Sequence, residues 1–303
     1  SVQHVNMSNT EPSPSSADGF ISVCRAKGKR RGQKASERKV HSKSEPVATG
    51  ERASAEVEFD SGKLIRRIAE AECDLQDSSF FTGAIEKILP VLKQAHIREI
   101  VCLGLGKLAE CNISRYQLAF VRCLQRRLAL EKVQYFDPVF TSREKEILRQ
   151  LDGIVLEENL EGKYAAKQNT LFYLPHCPKQ ISNNLLWKNW NLDKLGRIYL
   201  ICNSFEQIIT NSPERFLQNN AHYILQIAKN TVEVPIENNF KYTDIFNDTS
   251  FHYFNTTLLQ SKGSSFWEAT EPNYTEEDLE LITKTESLHL TENGLKNAAK
   301  IAD

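Results

Sequence analysis

Apolar positions along the chain alternate between short unbroken runs and stripes at helical spacing. Leu64, Ile65, Ile68 and Leu75 form one stripe, and Ile85, Ile88, Leu89 and Leu92 a second, with Pro90 placed to kink it. Glu99 to Leu103 is a strand-like run. Ser114 is then placed to cap a helix whose apolar face carries Leu118, Val121, Leu124 and Leu128. Lys132 to Phe136 is a second strand. Thr141 opens a helix, with Glu144 three residues on to complete a capping box. Gly153 to Leu156 is a third strand. Thr170 to Leu174 has apolar, aromatic or β-branched residues without a break, the pattern of a strand covered on both faces. Pro175 ends that ladder, and Pro178 suits the first turn of a helix continued by Ile181, Leu185, Leu186 and Trp190. Arg197 to Cys202 and Thr231 to Ile236 complete six strands. Between them a long helix is expected from Ser212 through Phe216, Tyr223, Ile224 and Ile227.

This alternation predicts an α/β fold: a Rossmann-like, doubly wound, mostly parallel sheet of about six strands. The pattern is missing from residues 1–60, where Ser, Pro, Glu, Lys and Gly dominate, so a disordered tail is expected there. The α/β domain is assigned to 61–285 and a loose C-terminal tail to 286–303. The segment after Asn238 holds Phe246, Phe251, Tyr253, Phe254 and Trp267, and is expected to pack back on the sheet. Thr275 and Asp278 have the spacing of one further helix start.

Composition changes this picture little. The formal charge of −1 over 303 residues points the whole chain toward neither nucleic acid nor membrane. That balance hides a basic segment at 25–43, with nine Lys or Arg against Glu37 alone. Such a run is either a solvated tail or a nuclear-import or nucleic-acid-contacting one. No apolar run reaches the roughly 18 residues of a membrane span. The seven cysteines are scattered and never spaced as C-x-x-C, as expected of a reduced intracellular protein, cytoplasmic with a nuclear option.

Ligands of open α/β sheets bind beyond the carboxyl ends of the strands, so candidate chemistry is sought there. The first strand ends in Gly104-Leu105-Gly106, the second in Asp137-Pro138, the central one in Pro175-His176-Cys177 and the next in Asn203-Ser204. Gly104, Gly106, Asp137, His176, Cys177 and Asn203 are therefore the candidate ligand-binding residues. Glycine lets a ligand approach the backbone, and an acid on the second strand can bond ribose hydroxyls, the logic of dinucleotide and S-adenosylmethionine sites. Asp137 lies 31 residues after Gly106, farther than the ~20 of the dinucleotide fingerprint. The plain alternative is a glycine turn and a capping acid. His176 and Cys177 are adjacent, so on a strand they would point apart, which disfavours a Cys–His catalytic pair, and no catalytic residue is assigned. Metal-ligand spacing is absent. Cys177-Pro178 is a context in which thiolate ligates haem, against the alternative of a packed thiol. The run Asn183 to Asn191 is rich in Asn, which is costly in a helix, and Asn183, Trp187 and Trp190 fall on neighbouring turns of one face. Such amides either bind a ligand or satisfy buried loop backbone, the second being favoured.

Five stretches carry a resemblance. They are Val101 to Gly106, Ser114-Arg115 with Gln117-Leu118-Ala119, Tyr135 to Phe140, Pro175 to Pro178 with Asn184 to Trp190, and Asn203 to Phe205. In this order they resemble the sensitivity-to-red-light-reduced family of eukaryotic proteins. The resemblance implies a regulatory role in circadian clock gene expression and in haem biosynthesis, without an established catalytic activity. The alternative is a methyltransferase-like enzyme using S-adenosylmethionine or another nucleotide at the strand ends. Haem and S-adenosylmethionine or a dinucleotide are thus the candidate ligands, and the protein partners are unidentified.

Overall fold

The computed structural model describes residues 60–274. The basic segment 25–43, the expected tails and the helix start at Thr275 lie outside the described residues. The chain opens with α1 (Ser61–Gln76), capped by the Asp60 carboxylate on the Lys63 N–H, and α2 (Ser79–Gln94), which continues through Pro90. Then follow β1 (Glu99–Leu103), α3 (Asn112–Arg127), β2 (Val133–Phe136), α4 (Ser142–Gln150), β3 (Gly153–Val155) and β4 (Thr170–Leu174). After these come α5 (Lys179–Lys188), α6 (Leu192–Leu195), β5 (Ile198–Asn203), α7 (Phe205–Thr210), α8 (Glu214–Asn220), α9 (His222–Ile227), β6 (Thr231–Pro235), β7 (Thr249–Phe254) and α10 (Thr256–Gln260).

The strands form one sheet in the order β3-β2-β1-β4-β5-β7-β6. The contiguous pairs from β3 to β5 are parallel, and β7 is antiparallel to both β5 and β6. All six expected strands are present. The seventh lies in the aromatic segment, whose residues Thr249, Ser250, Phe251 and His252 are all buried. Its unbroken burial hides the period-2 alternation that marks a half-exposed strand.

Alternate residues of each strand feed opposite faces. Ile100, Cys102, Leu171, Tyr173 and Phe251 join the core beneath α1 to α4, whereas Val101, Leu103, Phe172, Leu174 and Leu200 join the core beneath α5, α8 and α9. Three helix boundaries depart from expectation. α3 begins at Asn112 with Cys111 as its N-cap, so Ser114 lies inside the first turn and is buried, with no capping role. Pro178 is the N-cap of α5 and not its first turn. The long helix after Ser212 is broken at Ala221, whose ψ of 38° separates α8 from α9.

One polar network ties the far edge of the sheet together. His252 on β7 is fully buried, and Glu233 on β6 is its cross-strand partner. His252 Nε2 stands 3.5 Å from Glu233 Oε1, and its Nδ1 stands 3.6 Å from Cys202 Sγ. The Glu233 carboxylate also accepts from the Ser204 hydroxyl at 2.5 Å and the Glu206 N–H at 3.0 Å. Burial alone would raise the pKa of Glu233. The bond and charge of His252, then Ser204 and the Glu206 N–H, overturn that and hold it at about 2. The Cys202 thiol is buried and pushed up, which favours the neutral form.

A depressed carboxylate pKa contributes stability that is present above its unfolded value and is lost as pH falls through the folded value. Wild-type protein is therefore expected to lose roughly 3 kcal/mol from this group between about pH 4.5 and pH 2. Glu233→Gln should cost about 2–4 kcal/mol at neutral pH and flatten that acid limb in urea titrations. An acid limb unchanged by the substitution contradicts the assignment.

Candidate functional site

The site begins where β1 leaves the sheet. Gly104 takes φ +75° and Gly106 φ +77°, a region costly for any residue with a Cβ. The Gly104 N–H donates to Phe136 O at 3.1 Å, carrying the β1–β2 ladder one residue further. A Cβ on Gly104 would lie 2.4 Å from Cys177 Sγ. The glycine is therefore required by the Cys177 side chain, which seats against it from the β4 exit.

The loop between Gly104 and α3 is bound from behind by two carboxylates. The Gly106 N–H donates to Asp137 Oδ2 at 2.7 Å, and the Val139 N–H to Asp137 Oδ1 at 2.9 Å. The Ala109 N–H donates to Glu144 Oε1 at 2.8 Å. The other oxygen of Glu144 accepts from the Thr141 N–H and hydroxyl, so the expected capping box is present and also serves the glycine loop. Both acids are buried. Burial pushes Asp137 above the ordinary carboxylate value, its two N–H bonds hold part of that back, and the charge of Glu144 adds to it. Arg115, also buried, donates to Leu108 O at 2.7 Å and Ala109 O at 3.3 Å.

At the β4 exit His176 adopts φ +52°, a strained value for a non-glycine residue. Its Nδ1 lies 3.4 Å from Gln117 Nε2, which also donates to Ile245 O at 3.2 Å. His176 Nε2 is buried and makes no hydrogen bond of good geometry, though the Asn247 backbone lies close to the ring, and Asn247 Oδ1 is likewise without a partner. Burial lowers the His176 pKa, opposed by the Asn247 backbone and the charges of Asp248 and Asp244. The imidazole is therefore neutral at pH 7. Asp248 shares the strained backbone, at φ +52°, and its carbonyl accepts the Ser204 N–H at 2.7 Å.

Cys177 points away from His176. Its thiol donates to Leu103 O at 3.4 Å, and its carbonyl accepts from Asn203 Nδ2 at 3.0 Å. Burial, with a smaller contribution from Asp137, pushes the thiol well up, so the neutral form is favoured. The structure thus brings Gly104, Cys177 and Asn203 together in one chain of contacts, pairs Gly106 with Asp137, and sends His176 toward α3. Among the described residues no group of three or more His, Cys, Asp or Glu is arranged to hold a metal ion.

The asparagines of α5 satisfy backbone. Asn183 Oδ1 accepts from the Tyr223 N–H, and Asn184 Nδ2 donates to Glu161 O. Asn189 accepts from the Ala166 N–H and donates to Tyr164 O and Leu185 O. Trp190 Nε1 donates to Phe266 O. Gln117, Asn247 and Asp248 were not among the candidate ligand-binding residues, although Gln117 lies in a stretch that carries the family resemblance. Gln117 had a usable trace, since it sits on the same face of α3 as Val121 and Leu124, a polar residue in a buried stripe.

Comparison with known proteins places these elements together. The SRR1 domain model matches residues 81–253, which include every candidate residue above. The SRR1-like protein of Drosophila melanogaster is 36% identical over 228 residues, 74% of this chain and 80% of the fly protein. The SRR1-like protein of Mus musculus is 35% identical over 220 residues, 59% of this chain and 86% of the mouse protein. The Arabidopsis thaliana protein Sensitivity to Red Light Reduced 1 is 28% identical over 223 residues, 68% of this chain and 80% of the plant protein.

The seat of Cys177 against Gly104 can be tested by a double-mutant cycle. Gly104→Ala should destabilise by roughly 3 kcal/mol or more, from a left-handed Cβ and a steric clash together. Adding Cys177→Ala should recover the steric part, roughly 1–3 kcal/mol, in urea unfolding. Purely additive effects contradict the contact. Asn189→Ala should cost about 2–4 kcal/mol, because it strands the buried Ala166 N–H and Tyr164 O.

Proposed function

The chain belongs to the SRR1 domain family, and from that membership we propose that it is a regulatory protein acting in circadian clock gene expression and in the control of haem biosynthesis. What supports the reading is the family match across 81–253, together with the red-light phenotype recorded in the name of the Arabidopsis relative. Among the described residues no helix is long and apolar enough to cross a membrane. The candidate residues favour binding over catalysis. Cys177 is buried and protonated, and the Cys202–His252–Glu233 row lies inside the sheet and braces strands. Deleting the protein should alter the rhythm of clock transcripts and the level of haem in the same cells. Normal rhythms and normal haem in a clean deletion contradict the reading.

The link to haem takes one of two forms. A direct form uses Cys177 as thiolate ligand. It requires the thiol to leave Leu103 O and ionise against burial, so binding should strengthen as pH rises. Haemin titration of wild type and Cys177→Ala separates the two. A thiolate-type Soret band lost in the variant supports ligation, and identical spectra leave the indirect form. A second functional reading, a nucleotide- or S-adenosylmethionine-binding protein, is favoured by one observation: two left-handed glycines and a buried strand-end acid meet beside the gap between β1 and β4.

A further inference from the structure

Taking that second reading as its starting point, we infer that the loop Gly104–Cys111 accepts a phosphate-free ribonucleoside of the adenosyl thioether or sulfonium class, and not a dinucleotide or nucleoside triphosphate.

The place is set by topology. From β1 the chain proceeds to β2 on one side, and from β4 to β5 on the other, so the connections part between β1 and β4. Open α/β sheets bind ligands at such a point. The sheet order, with one antiparallel strand inserted next to the last, is also that of S-adenosylmethionine-dependent methyltransferases, an analogy of fold that by itself assigns no activity.

The ligand class follows from how the loop is bonded. A pyrophosphate needs free N–H groups and a helix N-terminus at the glycines. Here the N–H groups of Gly104, Gly106, Ala109 and Cys111 donate to Phe136 O, Asp137, Glu144 and Lys107 O. α3 starts only at Asn112, six residues after Gly106. Two buried carboxylates back the loop against one buried guanidinium, Arg115, while exposed Lys107 and Glu110 pair with each other at 3.2 Å. A phosphate would meet excess negative charge there, whereas a sulfonium would be attracted.

The ribose has a partner. Each Asp137 oxygen accepts one backbone N–H and keeps a further acceptor position, so the carboxylate can take both hydroxyls of a diol. Beside it Val139 is 44% exposed, an aliphatic surface on which a base can lie. At the β4 exit, the buried Nε2 of His176, beside the Asn247 backbone and without a hydrogen bond of good geometry, offers a polar contact for the remainder of the ligand.

The test is isothermal titration calorimetry of the full chain with S-adenosylmethionine, S-adenosylhomocysteine, 5′-methylthioadenosine, its 2′-deoxy analogue, NAD and ATP. The adenosyl thioethers and the sulfonium are expected to bind, and NAD and ATP to give no heat. The 2′-deoxy analogue should bind about ten-fold weaker or worse, through loss of one bond to a charged acceptor. That comparison uses wild-type protein, so a misfolded variant cannot confuse it. Equal affinity of the two methylthioadenosines removes Asp137 from the site. Binding of NAD or ATP with silence from the adenosyl compounds overturns this inference and leaves the nucleotide reading standing. Silence from every compound overturns both.

Discussion

Backbone amides that leave a sheet and stay buried must find acceptors, and this constraint shapes the carboxyl edge of the fold. Where β1 ends, the ladder can no longer supply them. Asp137 and Glu144 do so instead, reaching from the β2 exit and the first turn of α4 to Gly106 and Ala109. Each acid also fixes its own element, Asp137 through the Val139 N–H and Glu144 through Thr141. The loop, the β2 exit and α4 are thereby one hydrogen-bonded unit. Moving any one of them leaves a half-buried amide and a buried charge without a partner, at a cost of several kcal/mol.

The same logic recurs around the sheet in different chemistry. Asn203 closes the β5 exit onto the Cys177 carbonyl, and Asn184 and Asn189 hold the connection between β3 and β4. Glu233 and His252 serve the opposite flank, where β7 turns the sheet antiparallel. These are short side chains at fixed distances. They specify one arrangement of loops more strictly than the apolar cores beneath them, which tolerate repacking. His176 Nε2 and Asn247 Oδ1 are exceptions, buried atoms without a hydrogen bond, the first on a half-buried ring at a strained backbone position. Such leftover polar atoms are the natural contacts for a ligand at this edge.

Much of this was legible beforehand because periodicity reports burial directly. The unbroken run Thr170–Leu174 is the buried centre of the sheet, with parallel neighbours on both sides. Thr141 and Glu144 announced α4 by their spacing alone. The aromatic stretch after Asn238 was expected to pack on the sheet, but pairing as β7 depends on partners in β5 and β6 that no local pattern reveals. Ser114 looked like a cap because serine favours caps; tertiary packing beside Gly106 overrode that preference. Gly104 invited a ligand reading, and the structure adds a packing demand on its missing Cβ, from Cys177, that no local pattern reveals. The cross-strand partnership of Glu233 with His252 spans 19 residues and has no sequence trace at all.

The central claim is that the glycine loop is held internally by two carboxylates. Residue-resolved amide hydrogen exchange on the isotopically labelled full chain tests it most directly. The account predicts that the Gly106 and Ala109 amides exchange as slowly as those of β1, since all lie in one cooperative unit. Exchange of these two amides at the rate of an open, solvated loop, with β1 still protected, would contradict it.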